Sequence, residues 1–417
     1  MNADPRMSSP AQTGNFMPPS VVQAWQNRAL TCAVPLTVAA LAGWALAWLR
    51  GDNEFYRAYL LGYMWVLGLS LGSLALLMVY HTTGGAWGTV LRRPLEAAMR
   101  TIWVVAIGFV PILLGLHRLY PWARPEEVAR RPELQRLASL YLTPRLFTLR
   151  AVLYFIAWIA LAVWMARASA RQDRENVVLD KPLRAVGGAG LVVYALTLTF
   201  ATVDWVMSLS APWSSTIYGL LYMVGQGMIA LSLAVVVLAG LVRRPPMQGL
   251  VQADQFLDHG KLLLTFTMLW GWFTLSQWLI IWAGNLPDEI SWYLDRSSPG
   301  WHAFSWCVVL GQFFVPFFLL LSRDFKKDPR KLQKLALYII LVRYWDLFWY
   351  IVPGFENRKQ HWGYSWQYAV APLAMLCWWL VLYFHNLGHR PLLAVQDDHV
   401  KLILEEAAGD AYEHERA

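Results

Sequence analysis

Long apolar runs separated by short polar segments dominate this chain. A helix needs about 20 mainly apolar residues to cross the roughly 30 Å hydrocarbon layer of a bilayer. Ten stretches, numbered here as spans one to ten, meet that requirement: Leu30–Leu49, Tyr59–Tyr80, Met99–His117, Leu146–Ala166, Ala185–Ser208, Thr216–Val242, Lys261–Ala283, His302–Leu321, Gln333–Val352 and Gln367–His385. They are too long and continuous for the strands of a membrane β-barrel. The pattern therefore predicts an all-α polytopic integral membrane protein.

The composition agrees with an apolar solvent around most of the chain. Of its 417 residues, 57% are hydrophobic and only 15% are charged, whereas soluble domains carry about 25% charged residues. The 24 tryptophans fit the two headgroup layers, which indole rings favour. The net charge of +8 comes from basic residues spread between the apolar runs, so nucleic-acid binding is not expected.

The distribution of Lys and Arg predicts how the chain is oriented. Ten crossings place both ends on one side, and basic residues are more numerous on that side. Because positively charged loops stay in the cytoplasm, we expect both termini there. The polar, Pro-rich segment 1–28 is predicted to be a disordered tail. Residues 386–417 are predicted to form a C-terminal cytoplasmic tail.

Spans three and seven end alike and suggest an internal repeat. Each runs outward to a Trp- and Pro-containing exit, Tyr120–Ala123 in one and Ile281–Pro287 in the other. The four-helix spacing predicts two four-helix bundles, about residues 59–208 and 216–352, flanked by the first and last spans.

Charged side chains inside the predicted spans are the first candidates for function, because they are costly in lipid. Arg343 and Asp346 of span nine are three residues apart and share one helical face. Asp204, near the outer end of span five, has no visible basic partner, so we expect it to face the interior or an aqueous cleft. All three are candidates for a proton path or a quinol site. The alternatives are an internal salt bridge in span nine and an interfacial carboxylate at Asp204.

Weaker candidates are polar residues within the spans and at their cytoplasmic ends. Gln226, Gln277 and Gln312 fit either a polar wire or ordinary helix–helix hydrogen bonding. His81, Glu96 and His259 fit either the inner mouth of a proton path or solvated interfacial charge, and we favour the latter.

Redox centres are not expected in this chain. No Cys-x-x-Cys sequence occurs, which argues against an iron–sulfur cluster or a covalently attached haem. All nine histidines fall at span ends or outside the spans, whereas a haem in the bilayer needs axial ligands within it. We therefore expect this chain to bind no metal.

Several motifs in combination resemble one known family. They are Thr82–Gly88 with Leu91–Glu96, Pro111–His117 with Tyr120–Trp122, Thr202–Ser208, Ser215–Gly219, Gln277–Pro287 and Arg343–Asp346. Together they resemble the polysulfide-reductase membrane-subunit (NrfD-like) family, most closely the second large membrane subunit of bacterial alternative complex III, a quinol:electron-acceptor oxidoreductase. His117, within one of these motifs, joins the candidates for a proton path or quinol site.

The resemblance implies a location, partners and a role. It implies two four-helix bundles with two flanking helices in the bacterial inner membrane. The implied partners are a homologous NrfD-like membrane subunit, an iron–sulfur subunit and haem c subunits, which hold the redox centres. The chain itself is expected to bind no cofactor, with menaquinol or ubiquinol as candidate ligand, and to support quinol binding, proton conduction or both. The alternatives are a secondary transporter or ion channel, and a purely structural membrane anchor.

Overall fold

The computed structural model describes residues 16–175, 177–211, 213–355, 363–394, 400–401 and 404–405. Over these residues the regular structure is helical throughout, and no strand occurs. Ten of the helices are long and apolar enough to cross a membrane. The chain is therefore an all-α polytopic membrane protein, as the apolar runs predicted.

All ten predicted spans are present, and most are longer than their apolar cores. In chain order they are Ser20–Arg50, Glu54–Thr83, Arg92–Leu114, Pro144–Glu175, Asp180–Ser210, Tyr218–Leu241, Ala253–Gly284, Pro299–Leu321, Pro329–Gly354 and Gln367–Gly388. Helical hydrogen bonding continues into the polar layers, where hydropathy no longer marks the helix. Short connecting helices are Leu116–Leu119, Pro125–Arg130, Pro132–Leu140, Pro287–Leu294 and Arg323–Lys327.

Proline lies at an interruption in two of the spans. Span three consists of the pieces Arg92–Met99, Ile102–Ile107 and Val110–Leu114, and Pro111 lies in the first turn of the last piece. Span eight contains one π-helical turn, Leu310–Phe314, just before Pro316. Proline has no N–H to donate to the preceding turn, which explains a break or a widened turn at these positions.

Spans two and six form the centre of the assembly. All of the most apolar window of span two is buried, and 89% of that of span six. The two helices touch at Gly72, where a Cβ atom would collide with the backbone of Gln226. Small residues allow such close approach between helices in membranes. Span one packs mainly against span ten at the periphery, and the grouping into two four-helix bundles stays a prediction.

The two described ends of the chain meet at one end of the assembly. The Leu392 amide donates a hydrogen bond to the Phe16 carbonyl at 2.8 Å. We call this end, with Phe16, Ser20 and Leu392, the terminal face. The end that carries Asp204 and the helix Pro287–Leu294 is the opposite face.

Both predicted tails are shorter than expected. Span one begins at Ser20, inside the segment predicted to be disordered, because Val22 is buried and Trp25 packs its ring 5.5 Å from that of Phe384. The prediction of disorder is therefore wrong from residue 20 to residue 28, and residues 1–15 lie outside the described residues. The predicted C-terminal tail begins inside span ten, and its residues 392–394 are buried.

Candidate functional site

A buried ion pair lies in the interior, between span nine and span seven. The Arg343 guanidinium donates a hydrogen bond to Oδ2 of Asp346, and the two side chains are 2% and 1% exposed. The indole N–H of Trp270 donates to the same oxygen at 3.1 Å. Oδ1 of Asp346 has no hydrogen-bond partner among the described residues. The structure thus brings the two charged candidates of span nine together and leaves one carboxylate oxygen free.

Two residues of span six, Gly225 and Tyr222, contact the Arg343 side chain of this pair. A Cβ atom on Gly225 would collide with the Arg343 guanidinium, so only glycine leaves room for it. One turn earlier, the Tyr222 ring centroid lies 5.7 Å from Cζ of Arg343. A cation over an aromatic face is stabilised by the quadrupole of the ring. Glycine and tyrosine on one face of span six therefore form the other wall of the charged site.

A group of tyrosines extends from the ion pair toward the opposite face. The ring centroids of Tyr222 and Tyr218 are 5.3 Å apart, and those of Tyr218 and Tyr350 are 5.7 Å apart. All three side chains are buried, and the Tyr222 hydroxyl has no hydrogen-bond partner among the described residues. Three tyrosine rings thus pack together within an otherwise apolar interior.

Arg296 stands at the end of this group and was missed by sequence reasoning. Its guanidinium donates hydrogen bonds to the carbonyls of Trp292, Trp349 and Tyr350 at 2.7, 3.1 and 3.1 Å. Its Cζ lies 3.4 Å from the Trp292 ring centroid. Burial lowers the pKa of Arg296 to about 10. It remains a cation at neutral pH, held by carbonyl and aromatic groups.

Asp204 is held in a salt bridge that local sequence did not reveal. Arg150 donates to Oδ2 and Oδ1 of Asp204 at 2.9 and 2.8 Å, and the Tyr154 hydroxyl donates to Oδ2 at 2.9 Å. The expectation of an unpaired carboxylate is wrong because Arg150 is 54 residues away in sequence and belongs to span four. The interior orientation was predicted correctly, since Asp204 is 0% exposed.

The guanidinium of Arg150 is itself fixed by Tyr141. Its Cζ lies 3.8 Å from the Tyr141 ring centroid, and Nη1 donates to the Tyr141 carbonyl at 3.1 Å. Burial, followed by the nearby charge of Asp204, raises the pKa of Tyr141 to about 12. Both oxygens of Asp204 are thus engaged by groups that stay protonated at neutral pH. This arrangement suits a structural clamp between spans four and five.

We expect Asp204→Asn to lower the unfolding free energy by about 2 kcal/mol, because it leaves the partly buried Arg150 without its counter-charge. Arg150→Gln should cost a similar amount, and the two changes together should cost less than their sum. Thermal unfolding of the purified protein measures all three. Arg145→Gln, an exposed change one turn away, is the control and should be neutral. If the double variant lost as much unfolding free energy as the two single variants together, Asp204 and Arg150 would not stabilise the protein as a pair.

Glu96 lies in a cluster of arginines at the terminal face. Arg92 Nε and the Ser169 hydroxyl donate to Oε1 at 2.9 and 2.8 Å, and Arg93 Nη1 donates to Oε2 at 2.7 Å. Arg390 approaches the same carboxylate at 3.9 Å. Glu96 is 4% exposed, so the prediction of a solvated interfacial charge is wrong for this residue. The cluster joins span three to span four and to the segment after span ten.

The candidate histidines occupy separate places. His259 is fully buried, and its Nε2 lies 2.8 Å from the Trp87 carbonyl in the turn between spans two and three. Nδ1 of His117 lies 2.6 Å from the Ala123 carbonyl. The His81 ring packs against Tyr80 with centroids 5.1 Å apart. Glu96 and His259 therefore contact different partners, and hydrogen bonds to turn carbonyls account for His259 and His117.

The candidate glutamines are all buried within their helices. Gln226 accepts a hydrogen bond from the Tyr194 hydroxyl at 2.9 Å, which joins span five to span six. Nε2 of Gln312, in the π-helical turn, lies 3.1 Å from the sulfur of Met228. Gln277 belongs to the buried face of span seven. Helix–helix contact explains Gln226 and Gln312, and the polar wire stays a prediction.

The described residues contain no group of three or more His, Cys, Asp or Glu side chains arranged to hold a metal ion. Neither the models of known protein families nor the sequences of curated proteins match this chain. Its relation to the NrfD-like family therefore rests on the motifs and stays a prediction.

Proposed function

We propose that this chain is a membrane subunit of a quinol-oxidising respiratory complex of the alternative complex III type, in which it conducts protons. The observation that supports this role best is the buried Arg343–Asp346 pair, with one oxygen of Asp346 free. The redox centres belong to the partners: an NrfD-like membrane subunit, an iron–sulfur subunit and haem c subunits. Quinol oxidation is assigned to the membrane partner, and a supporting role to this chain.

Asp346 suits proton transfer better than the other interior acid. A transfer group needs a lone pair that an incoming proton can reach and a fixed orientation. Arg343 and Trp270 both bind Oδ2, which orients the carboxylate and leaves the buried Oδ1 without a hydrogen-bond partner among the described residues. In Asp204, by contrast, both oxygens accept hydrogen bonds. We therefore assign proton transfer to Asp346 and a structural role to Asp204.

Tyr222, Tyr218 and Tyr350 form the proposed route from Asp346 toward the opposite face. A tyrosine hydroxyl can both accept and donate a hydrogen bond, so this route passes a proton when the three hydroxyls turn toward one another. Gln226, one turn after Tyr222 on span six, accepts a separate hydrogen bond from Tyr194 of span five. Moving one charge against 100 mV costs about 2.3 kcal/mol. Conduction is therefore coupled to electron flow in the partner subunits.

Asp346→Asn in the whole complex tests the role of this chain. In vesicles with a pH-sensitive dye, we expect proton release per quinol oxidised to fall at least about tenfold, because the amide accepts no proton. Quinol oxidation per assembled complex should change little, although less complex should assemble because Arg343 loses its counter-charge. Asp258→Asn, an exposed change at the terminal end of span seven, is the matched control. Unchanged proton release in Asp346→Asn would exclude Asp346 from the path.

A secondary transporter or channel is the second candidate function, and the interrupted spans three and eight favour it. Broken helices at mid-membrane are typical of transporter sites. The purified chain alone, in vesicles under an imposed potential, distinguishes the two functions. Proton or ion flux without quinol would support the transporter. No proton or ion flux through vesicles that contain the chain alone, together with quinol-driven proton release by the whole complex, would support the respiratory role.

A further inference from the structure

A cavity of about 550 Å³ opens beside the arginine cluster at the terminal face. It lies between the first half of span three, the second half of span four and the end of span ten. Five arginines and one glutamate contribute its charged lining: Arg100, Arg167, Arg171, Arg174, Arg390 and Glu175. The glutamate is already paired with Arg171 at 2.7 Å. The cavity is therefore strongly basic.

Several of these cations lack an ion-pair partner among the residues that the structure describes. Within the described part of the chain, no carboxylate forms an ion pair with Arg100, Arg167 or Arg174. Burial lowers the pKa of Arg390, and the charges of Arg100 and Arg93 add to that effect, although Glu96 opposes it. Like charges held this close create a positive potential that an anion relieves.

The lining changes from basic to apolar with depth. On span three, Arg100 is followed toward the membrane centre by Ile102 and the half-exposed Trp103. On span four, the residues that precede Arg167 along the same helical face are apolar: Ile159, Ala162, Val163 and Ala166. An inorganic anion needs no such wall, whereas an acyl chain does.

The length of this lining fits one bilayer leaflet. Ile159 and Arg174 are separated by fifteen residues of one helix, which corresponds to about 22 Å at 1.5 Å per residue. Half of a bilayer, including its headgroups, measures about 20–22 Å. The basic end is then level with the headgroups and the apolar end with the acyl chains.

We propose that this cavity binds an anionic phospholipid, with the phosphodiester headgroup on Arg100, Arg167 and Arg174 and an acyl chain along Trp103 and span four. Basic pockets between transmembrane helices are the usual sites for such headgroups. The bound lipid bridges spans three, four and ten beside the Glu96 cluster. This site is independent of proton transfer by Asp346.

Binding is tested on the full-length protein in neutral detergent micelles. Phosphatidylglycerol, phosphatidylcholine and inorganic phosphate are titrated separately, and binding is measured by native mass spectrometry and by the rise in melting temperature. Phosphatidylglycerol should bind and stabilise the protein. Arg100→Gln with Arg167→Gln should weaken that binding about 30-fold, at about fivefold for each basic residue. The control pair Arg244→Gln with Arg330→Gln, which are exposed and outside the cavity, should change it less than twofold.

A second variant separates the lipid from a free anion. Ala166→Phe places a large side chain in the apolar part of the cavity without changing its charge. It should therefore weaken the binding of phosphatidylglycerol and leave the binding of phosphate unchanged. Equal binding of phosphatidylcholine, phosphate binding as tight as lipid, or loss of affinity only in the control pair would overturn the proposal. An acidic peptide titrated in the same way that binds more tightly than phosphatidylglycerol would do the same and would indicate a protein partner. Size-exclusion chromatography confirms that each variant is folded before titration.

Discussion

Arg343→Leu is expected to lower the unfolding free energy by about 3–5 kcal/mol, because it leaves the Asp346 carboxylate buried without its counter-charge. The loss is large because neither water nor another cation replaces the guanidinium: Asp346 is 0% exposed, and its other contact is the indole of Trp270. The space left between Gly225 and Tyr222 adds a packing defect. Unfolding in mixed micelles measures the effect.

The double change of Arg343 and Asp346 to leucine should recover most of that loss. Removing both charges removes the desolvation cost of each, and replacing a buried ion pair by apolar residues is often neutral. Lys334→Leu, an exposed change on the same helix, is the control and should leave stability within about 0.5 kcal/mol. A single change as stable as the original protein would mean that the pair contributes nothing to the fold. The main observation behind the proposed interior site would then be lost.

Glu96→Gln is also expected to lower the unfolding free energy by about 3–5 kcal/mol. Glu96 is the carboxylate that accepts from both Arg92 and Arg93, and the two arginines are 2% and 3% exposed. Without it, Arg93 keeps Asp173 and Ser169, and Arg92 keeps the neutral amide of Gln172 but has lost the carboxylate beside it. Spans three and four should then separate at the terminal face.

Glu175→Gln provides the matched comparison for Glu96. Glu175 forms an exposed ion pair with Arg171. The Arg171 side chain is 60% exposed and that of Glu175 is 52% exposed. Exposed pairs contribute about 0–1 kcal/mol because water and salt screen them. Both variants are compared by their melting temperature and by the rate at which a protease cleaves the loop between spans four and five. Equal effects of the two changes would show that burial does not strengthen the Glu96 cluster.

Local sequence pattern was sufficient for the helices and for one charged pair. Hydropathy over about 20 residues reports the solvent around each segment, so every span was predicted although the ends were not. Arg343 and Asp346 could be paired because their spacing of three residues places both on one helical face. Each of these inferences needs only residues that are close together in the chain.

The remaining contacts depend on which helices are neighbours. Asp204 reaches Arg150 across 54 residues, and Glu96 reaches Ser169 across 73. Neither spacing carries a periodic signal, so a single sequence does not reveal these partners. Arg296 lay outside the apolar runs and resembled an ordinary loop cation. Its neighbour Trp292, which covers the guanidinium, was the only local indication of burial.

Isolation of the native assembly tests the proposed function most directly. The chain is tagged, extracted in mild detergent and purified, and haem and iron are quantified for each copy of the chain together with quinol-dependent reduction of an electron acceptor. Membership of a quinol-oxidising complex predicts haem c and iron–sulfur subunits in constant ratio to this chain, with activity that follows that ratio. A chain that purifies alone, without iron and without quinol oxidation, would contradict the account.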